Sequence, residues 1–324
     1  MAVDQASHGH KGVPMKAMAR SRASGISPLR RREALEGYLW ISPWIIGFTV
    51  FTLGPMIVSL YLSFTSYKIG ATPVWIGLEN YTEAFYRDPL FWPSLWRTLI
   101  YAVVLVALGV TFSLLAAILL NNIRGKSFFR ALFYLPSLTP TVALAVIWAW
   151  LLQPEYGLVN YVLSWFGIQG PGWFTSRTWV IPGIVLVSLW ASIGGGRMII
   201  FLAGLQGVPQ EMYEAAEIDG AGKIGQFFHI TIPLISPTIL FNAIISIIGS
   251  FSVFSLAYIA TEGGPNYGSW FYMLHLYHNA FSYFQMGYAS ALAWILFVIM
   301  MSLTLFQMWL SKRWVHYEYS EGGQ

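Results

Sequence analysis

Six apolar runs dominate this sequence, each near or above the ~20 residues that a helix needs to cross a bilayer. They cover about 39–64, 96–120, 131–152, 180–205, 235–260 and 287–310. In hydrocarbon every backbone N–H and C=O must be paired within its own segment, so runs of this length fold as helices and not as open strands. The expected fold class is therefore all-α, a polytopic membrane bundle of six transmembrane helices. Composition agrees with that reading: 56% of the 324 residues are hydrophobic and only 10% are charged. A soluble domain carries about 25% charged residues. The 15 Trp and 18 Tyr suit rings held at the two membrane interfaces.

Charge placement sets the expected orientation. Arg20, Arg22, Arg30, Arg31 and Arg32 crowd before the first run, which reads as a cytoplasmic anchor and not as a nucleic-acid patch. With the N-terminus inside, the other inside segments hold Arg124, Lys126 and Arg130, then Lys223, then Lys312 and Arg313. The outside segments hold Lys68, Arg87, Arg97 and Arg177, and residues 261–286 hold no Lys or Arg. The positive-inside rule then places both termini in the cytoplasm of a cell-membrane protein. The expected organisation is a largely disordered tail over 1–38, a transmembrane domain over 39–310 with a cytoplasmic loop at 206–234, and a short tail over 311–324. A short interfacial helix near Arg30–Tyr38 is compatible with the tail. A long polar N-terminus ahead of a full-length span does not read as a cleavable leader.

The loop at 206–234 carries the most information. Residues 208–233 read VPQEMYEAAEIDGAGKIGQFFHITIP. Pro209 suits a helix start, and Glu211 and Glu214 in the early turns favour the positive end of the helix dipole. Ala215 and Ala216 are small enough for a close neighbour. Asp219-Gly220 ends the helix, with the glycine able to turn left-handed. A second short helix to about His229 follows, and Pro233 opens the next span. The product is a helix–turn–helix joined to spans on both sides.

Glu214-Ala215-Ala216, Gly220, Ile230 and Pro233 fall at the spacing of the EAA loop, and on them the chain resembles the permeases of ATP-binding-cassette (ABC) importers. Ile232 stands where leucine is usual. The wider chain is similar to the carbohydrate-uptake branch, of the maltose-transporter MalF type. The matching pieces include residues 76–81, 128–133, 203–206, Gly263-Gly264-Pro265 and Gly287–Ala291. Gly194-Gly195-Gly196-Arg197 departs from the bulkier residues of many relatives. The resemblance implies a type I importer fold and a transport subunit that performs no bond chemistry and holds no cofactor or metal. It implies that Glu214, Ala215, Ala216, Asp219 and Gly220 dock in a cleft of an ATPase. The implied partners are a second, MalG-like permease forming a heterodimer, a pair of ABC ATPase subunits and an extracellular or periplasmic sugar-binding protein, all around a lipid-embedded core.

In the fifth run Asn242, Ser246 and Ser250 recur every four residues and share a helix face, which Phe254 and Tyr258 are expected to continue. The resemblance puts the sugar near Ser246, Gly249, Ser250 and Val253, with Asn242 on the same pathway. Ser and Asn also join helices as ordinary hydrogen-bonding glue. Arg197 is the one intramembrane cation, expected to pair, to snorkel or to line the pathway, and its position nearer the inner end of the fourth run favours the first two. A glycerol-phosphate permease is the alternative within transport, since a phosphate needs cationic contacts. An ion-coupled carrier or membrane enzyme would need further ionisable groups in the spans. Gly220-Ala221-Gly222-Lys223 lacks the Ser or Thr and the first Gly of a phosphate loop, so ATP hydrolysis must come from another chain. His275 and His278 have no neighbouring third ligand in sequence to suggest a metal site. Cysteine is absent.

Overall fold

The computed structural model describes residues 28–315, so most of the expected 1–38 tail and all of 316–324 lie outside the described residues. From Pro28 the chain is already helical, which replaces the disordered reading over residues 28–38. The chain divides into two compact units, residues 1–58 and 59–324. The first contains α1 (Pro28–Phe48), a π-turn at Thr49–Leu53 and the start of α2 (Gly54–Ser63). Together these make one apolar helix over Arg32–Ser63, long enough to span.

In the second unit, two short antiparallel strands, β1 (Thr65–Ser66) and β2 (Val74–Trp75), precede α3 (Glu79–Thr82). Asn80, which sits in a glycosylation-type sequon, is buried and donates to the carbonyls of Ser63 and Thr65 at 2.8 and 2.9 Å. It pins this corner. The long α4 (Phe91–Asn122) and α16 (Met286–Ser311) are continuous spans.

The other three runs are bent, not continuous. The third divides into α5 (Lys126–Tyr134), a 3-10 turn at Leu135–Leu138 and α6 (Thr141–Leu151), with a 92° bend. Pro140 favours the extended conformation of Thr139, which ends the 3-10 turn there. After α7 (Leu158–Trp165), the fourth divides into α8 (Val180–Ser192) and α9 (Gly196–Gln206) at 51° across the glycine run. The loop at 206–234 contributes α10 (Gln210–Ile218), α11 (Lys223–Gln226) and α12 (Ile232–Leu234), and it meets α13 (Ser236–Phe251) at 66°. Among the described residues, three helices are thus long and apolar enough to cross a membrane, or up to six if each bent pair counts as one span. The fifth run also stops early. The chain leaves the helix at Ser252–Phe254 and restarts as α14 (Ser255–Thr261), followed by α15 (Tyr272–Tyr277). Phe254 and Tyr258 therefore do not continue the α13 face. They stack on each other at 5.3 Å against Tyr277 instead.

Helix α4 is the central post. Its first half packs Tyr101 and Leu105 with α6, α8 and α14, and Phe91 and Ala102 with α15 and α16. Its second half packs Leu114, Ala117 and Leu120 against Met198, Phe201 and Leu202 of α9. Small residues on such posts let helices approach closely, and packing drives association in lipid.

At the Phe91 end of α4 a buried polar knot joins segments far apart in sequence. One Asp88 carboxylate oxygen accepts from His275 Nε2 at 2.8 Å and from the Tyr288 hydroxyl at 2.6 Å. Its other oxygen accepts from the Leu90 amide at 2.8 Å. Trp270 Nε1, which can only donate, points at His275 Nδ1 at 3.2 Å. That contact fixes the tautomer whose Nε2 proton faces Asp88. The Asp88 side chain is only 12% exposed, and this burial opposes its ionisation. The hydrogen bonds from His275 and Tyr288 outweigh burial and hold its carboxyl at about 2, below the usual 3.8. The ionised form is thus favoured on folding. Its stabilising contribution is full above about pH 4 and is lost as pH falls through about 2. Asp88→Asn should cost about 1–3 kcal/mol at neutral pH, because it leaves a buried donor poorly matched. Thermal unfolding in detergent should show the variant less stable at pH 7, with the gap to wild type closing towards pH 2.

Candidate functional site

Two places in the second unit gather the residues of interest: the loop after α9, and a cavity at the break in the fourth run.

In the loop, α10 starts after Pro209, which is the extended N-cap and not a helical residue. The helix ends in a Schellman arrangement. The Ala221 amide donates to the Ala216 carbonyl at 2.8 Å and the Gly220 amide to the Glu217 carbonyl at 3.1 Å. Gly220 sits at φ +81°, where a side chain would be strained. The Tyr213 and Thr231 hydroxyls meet at 2.9 Å and clamp the two arms of the loop together. Glu214, Ala215, Asp219 and Gly220 are exposed, and Ala216 is half-buried. Ile218 is 87% exposed and Ile224 78%. The loop therefore offers a hydrogen-bonded, acidic and partly apolar surface that the described residues leave uncovered. A cavity of about 830 Å³ separates the loop from Ile118 and Asn121 at the far end of α4.

The second place is a polar cavity of about 510 Å³. Its walls are Tyr101 of α4, the Pro136–Thr141 bend, Ser188 and Ser192 of α8, Gly195–Arg197 at the start of α9, and Gly249 with Ser252–Leu256 where α13 breaks. The bends of the third and fourth runs thus meet the early stop of α13 at one space. The breaks explain its polarity, because non-helical backbone at membrane depth is tolerated where it lines a cavity. Tyr101 donates to Ser188 at 2.9 Å. Ser192 Oγ is buried with no hydrogen-bond partner among the described residues.

The expected pathway residues divide. Gly249 and Val253 line this cavity. Ser246 reaches it through Arg197, whose Nη1 donates to the Ser246 hydroxyl at 3.2 Å. Ser250 is 2% exposed and its hydroxyl bonds back to the Ile247 carbonyl at 2.8 Å. Asn242 is fully buried and donates to the Thr238 carbonyl. The structure does not bring these two to the cavity.

Arg197 lines the cavity, the less favoured of its expected positions. It neither snorkels to the end of its helix nor finds an acidic partner among the described residues. Its guanidinium lies against Gly109 of α4, where a Cβ would collide with it. Gly109 stands ~27 Å from the Phe91 end of α4 and ~20 Å from the other, at 1.5 Å per residue. Arg197 therefore acts near mid-depth. Gly109 on the facing helix was the one signal in the sequence that makes room for it.

A helical bundle with broken spans around a mid-depth polar cavity, and with a rigid loop projecting from one end, defines a membrane permease. Residues 109–316 match the family model "Binding-protein-dependent transport system inner membrane component", and the chain belongs to that family. It is 44% identical over 296 residues to the probable ABC transporter permease protein YesP of Bacillus subtilis (strain 168), covering 90% of this chain and 95% of YesP. It is 31% identical over 295 residues to the arabinooligosaccharides transport system permease protein AraP of the same organism, covering 90% and 93%. Among solved structures it is similar to a chain of the bacterial alginate ABC transporter, crystallised with an alginate pentasaccharide-bound periplasmic protein. The TM-score is 0.77 at 24% identity, over 87% of this chain and 96% of the other. That likeness establishes the type I importer permease fold.

Proposed function

We propose that this chain is the permease subunit through which an ABC importer takes saccharides into the cell, with the loop at 206–234 as its cytoplasmic coupling element. The observation that carries the coupling reading is the exposed, pre-formed α10–α11 surface, with Ile218 and Ile224 bare beside Glu214, Ala215 and Asp219. Apolar side chains this exposed on an ordered loop mark a docking surface. A sister permease completes the pathway, and a pair of ATPase subunits grips the loop. An external binding protein delivers the sugar, as the family's name supports. ATP is hydrolysed on those partner subunits, and this chain moves between inward- and outward-facing states. Both termini lie in the cytoplasm. The saccharide reading draws on relatives such as AraP and on a cavity that combines hydroxyls with the Phe254 ring.

The chain has no cysteine, so Ile218→Cys gives a single reactive thiol. A membrane-impermeant maleimide should label it in inside-out vesicles and not in intact cells. Adding the cognate ATPase should protect it. Labelling from the outside would overturn the orientation, and unchanged labelling in an ATP-hydrolysing complex would overturn the docking surface.

A further inference from the structure

Among the described residues, Arg197 is the only charged one lining the central cavity, and no carboxylate lines it. An arginine stays protonated in any protein environment. Holding its charge inside a span costs about 2.5–3.5 kcal/mol on insertion scales, and such residues mark substrate paths or find partners. Here the partner supplied by the described residues is one neutral hydroxyl, Ser246 at 3.2 Å. Of the five N–H donors of a guanidinium, four are left for other partners. The surroundings are shaped to keep the group there, because Gly109 on α4 leaves the space its Nη1 occupies. Nearby, the Ser192 hydroxyl is buried without a partner, and Tyr101 and Ser188 present a hydroxyl pair. The Phe254 ring forms part of the wall. The cavity's 510 Å³ falls within the ~300–1,000 Å³ of small-molecule sites.

We infer that the permease is built for an acidic saccharide, and that Arg197 receives the carboxylate of a uronate unit as it passes mid-membrane, while the hydroxyls and Phe254 meet the rest of the sugar. The inference rests on the saccharide reading above and adds its charge. A neutral sugar would cross without satisfying the cation, whereas a planar carboxylate matches the guanidinium fork with two parallel hydrogen bonds. Arg197 is in this sense a specificity-determining residue, and it offers one fixed charge without an opposing acid to trap or repel the cargo.

The test uses the complete importer, reconstituted in proteoliposomes with its partner subunits and binding protein. The probes are digalacturonate and diglucuronate, their neutral counterparts galactobiose and cellobiose, and glycerol 3-phosphate. The expected result is uptake of an acidic disaccharide in preference to its neutral counterpart. Arg197→Gln should lower the acidic uptake about ten- to a hundred-fold, the range of a charge-assisted hydrogen bond, and Arg197→Lys should restore part of it. Any residual neutral uptake should change less than about two-fold, and both variants should elute as monodisperse complexes. Neutral uptake equal to or above acidic uptake would overturn the inference and leave the saccharide reading standing. So would an equal loss of both in Arg197→Gln. Uptake of glycerol 3-phosphate alone would remove the saccharide reading itself. A complex that hydrolyses ATP and imports none of these probes would overturn both.

Discussion

Glu214→Lys will abolish import while leaving the permease folded and in the membrane. Glu214 is exposed on α10 and makes no hydrogen bond or ion pair among the described residues. Its replacement therefore withdraws nothing from the fold, and an exposed helical substitution costs little stability. Lysine does reverse the charge in the middle of the proposed docking surface, between the exposed Ile218 and the helix start. A central interface residue of this kind is worth about 2 kcal/mol or more, hence a roughly 30-fold loss of docking. Gly220→Val should act by a second route. At φ +81° a β-branched residue is strained by about 1–2 kcal/mol, and relief unwinds the Schellman turn that sets the angle between the two arms. The measurement is ATP-driven uptake beside a membrane-fraction blot and basal ATPase activity of the complex. Wild-type uptake in Glu214→Lys would mean that force does not enter through α10.

That loop is also the part of the molecule most legible in sequence, for a physical reason. Its helix stop is encoded by neighbours: Asp219-Gly220 makes a left-handed cap whatever the rest of the chain does, and the hydrogen bonds from Ala221 and Gly220 follow. The existence of the spans was equally local, being a matter of apolar length. Their interruptions were not. Nothing in the composition of residues 235–260 marks the stop at Ser252–Phe254, which follows from packing against α4, α6 and α15. The four-residue spacing that reaches Phe254 and Tyr258 thus outruns the helix face it describes. Pro140 lies inside the third apolar run, at the bend. The Asp88–His275 contact joins residues 187 apart in sequence, a separation that a single sequence does not reveal. Arg197 was read from its position along a continuous helix. Once the helix breaks at Gly195, the residue is no longer near an end but at the first turn of a half-helix in the middle of the bundle.

The glycine run that makes this break supports the second large effect. Gly194→Ala should remove most folded protein, whereas Gly196→Ala should leave folding intact. The three glycines differ in what faces them. A Cβ on Gly194 would land on the carbonyl of Phe133, which is backbone and cannot swing aside. A Cβ on Gly195 would come within 3.1 Å of Ser137 Cβ, a contact that a small shift relieves. A Cβ on Gly196 would meet nothing within 4 Å, and as a helical position it even favours alanine by about 1 kcal/mol. Overpacking a tight core costs typically about 1–3 kcal/mol when side chains can adjust, and the Gly194 contact sits at or above the top of that range because it must move α5 bodily. The helix pair cannot recover the loss by apolar burial, since lipid solvates a separated helix as well as its partner does. Thermal unfolding and the monodisperse fraction in detergent should therefore fall steeply for Gly194→Ala, modestly for Gly195→Ala and not at all for Gly196→Ala. Equal stability of the first and last would mean that α5 and the break in the fourth span do not touch, and the cavity wall drawn through Ser137 and Gly195 would have to be rebuilt.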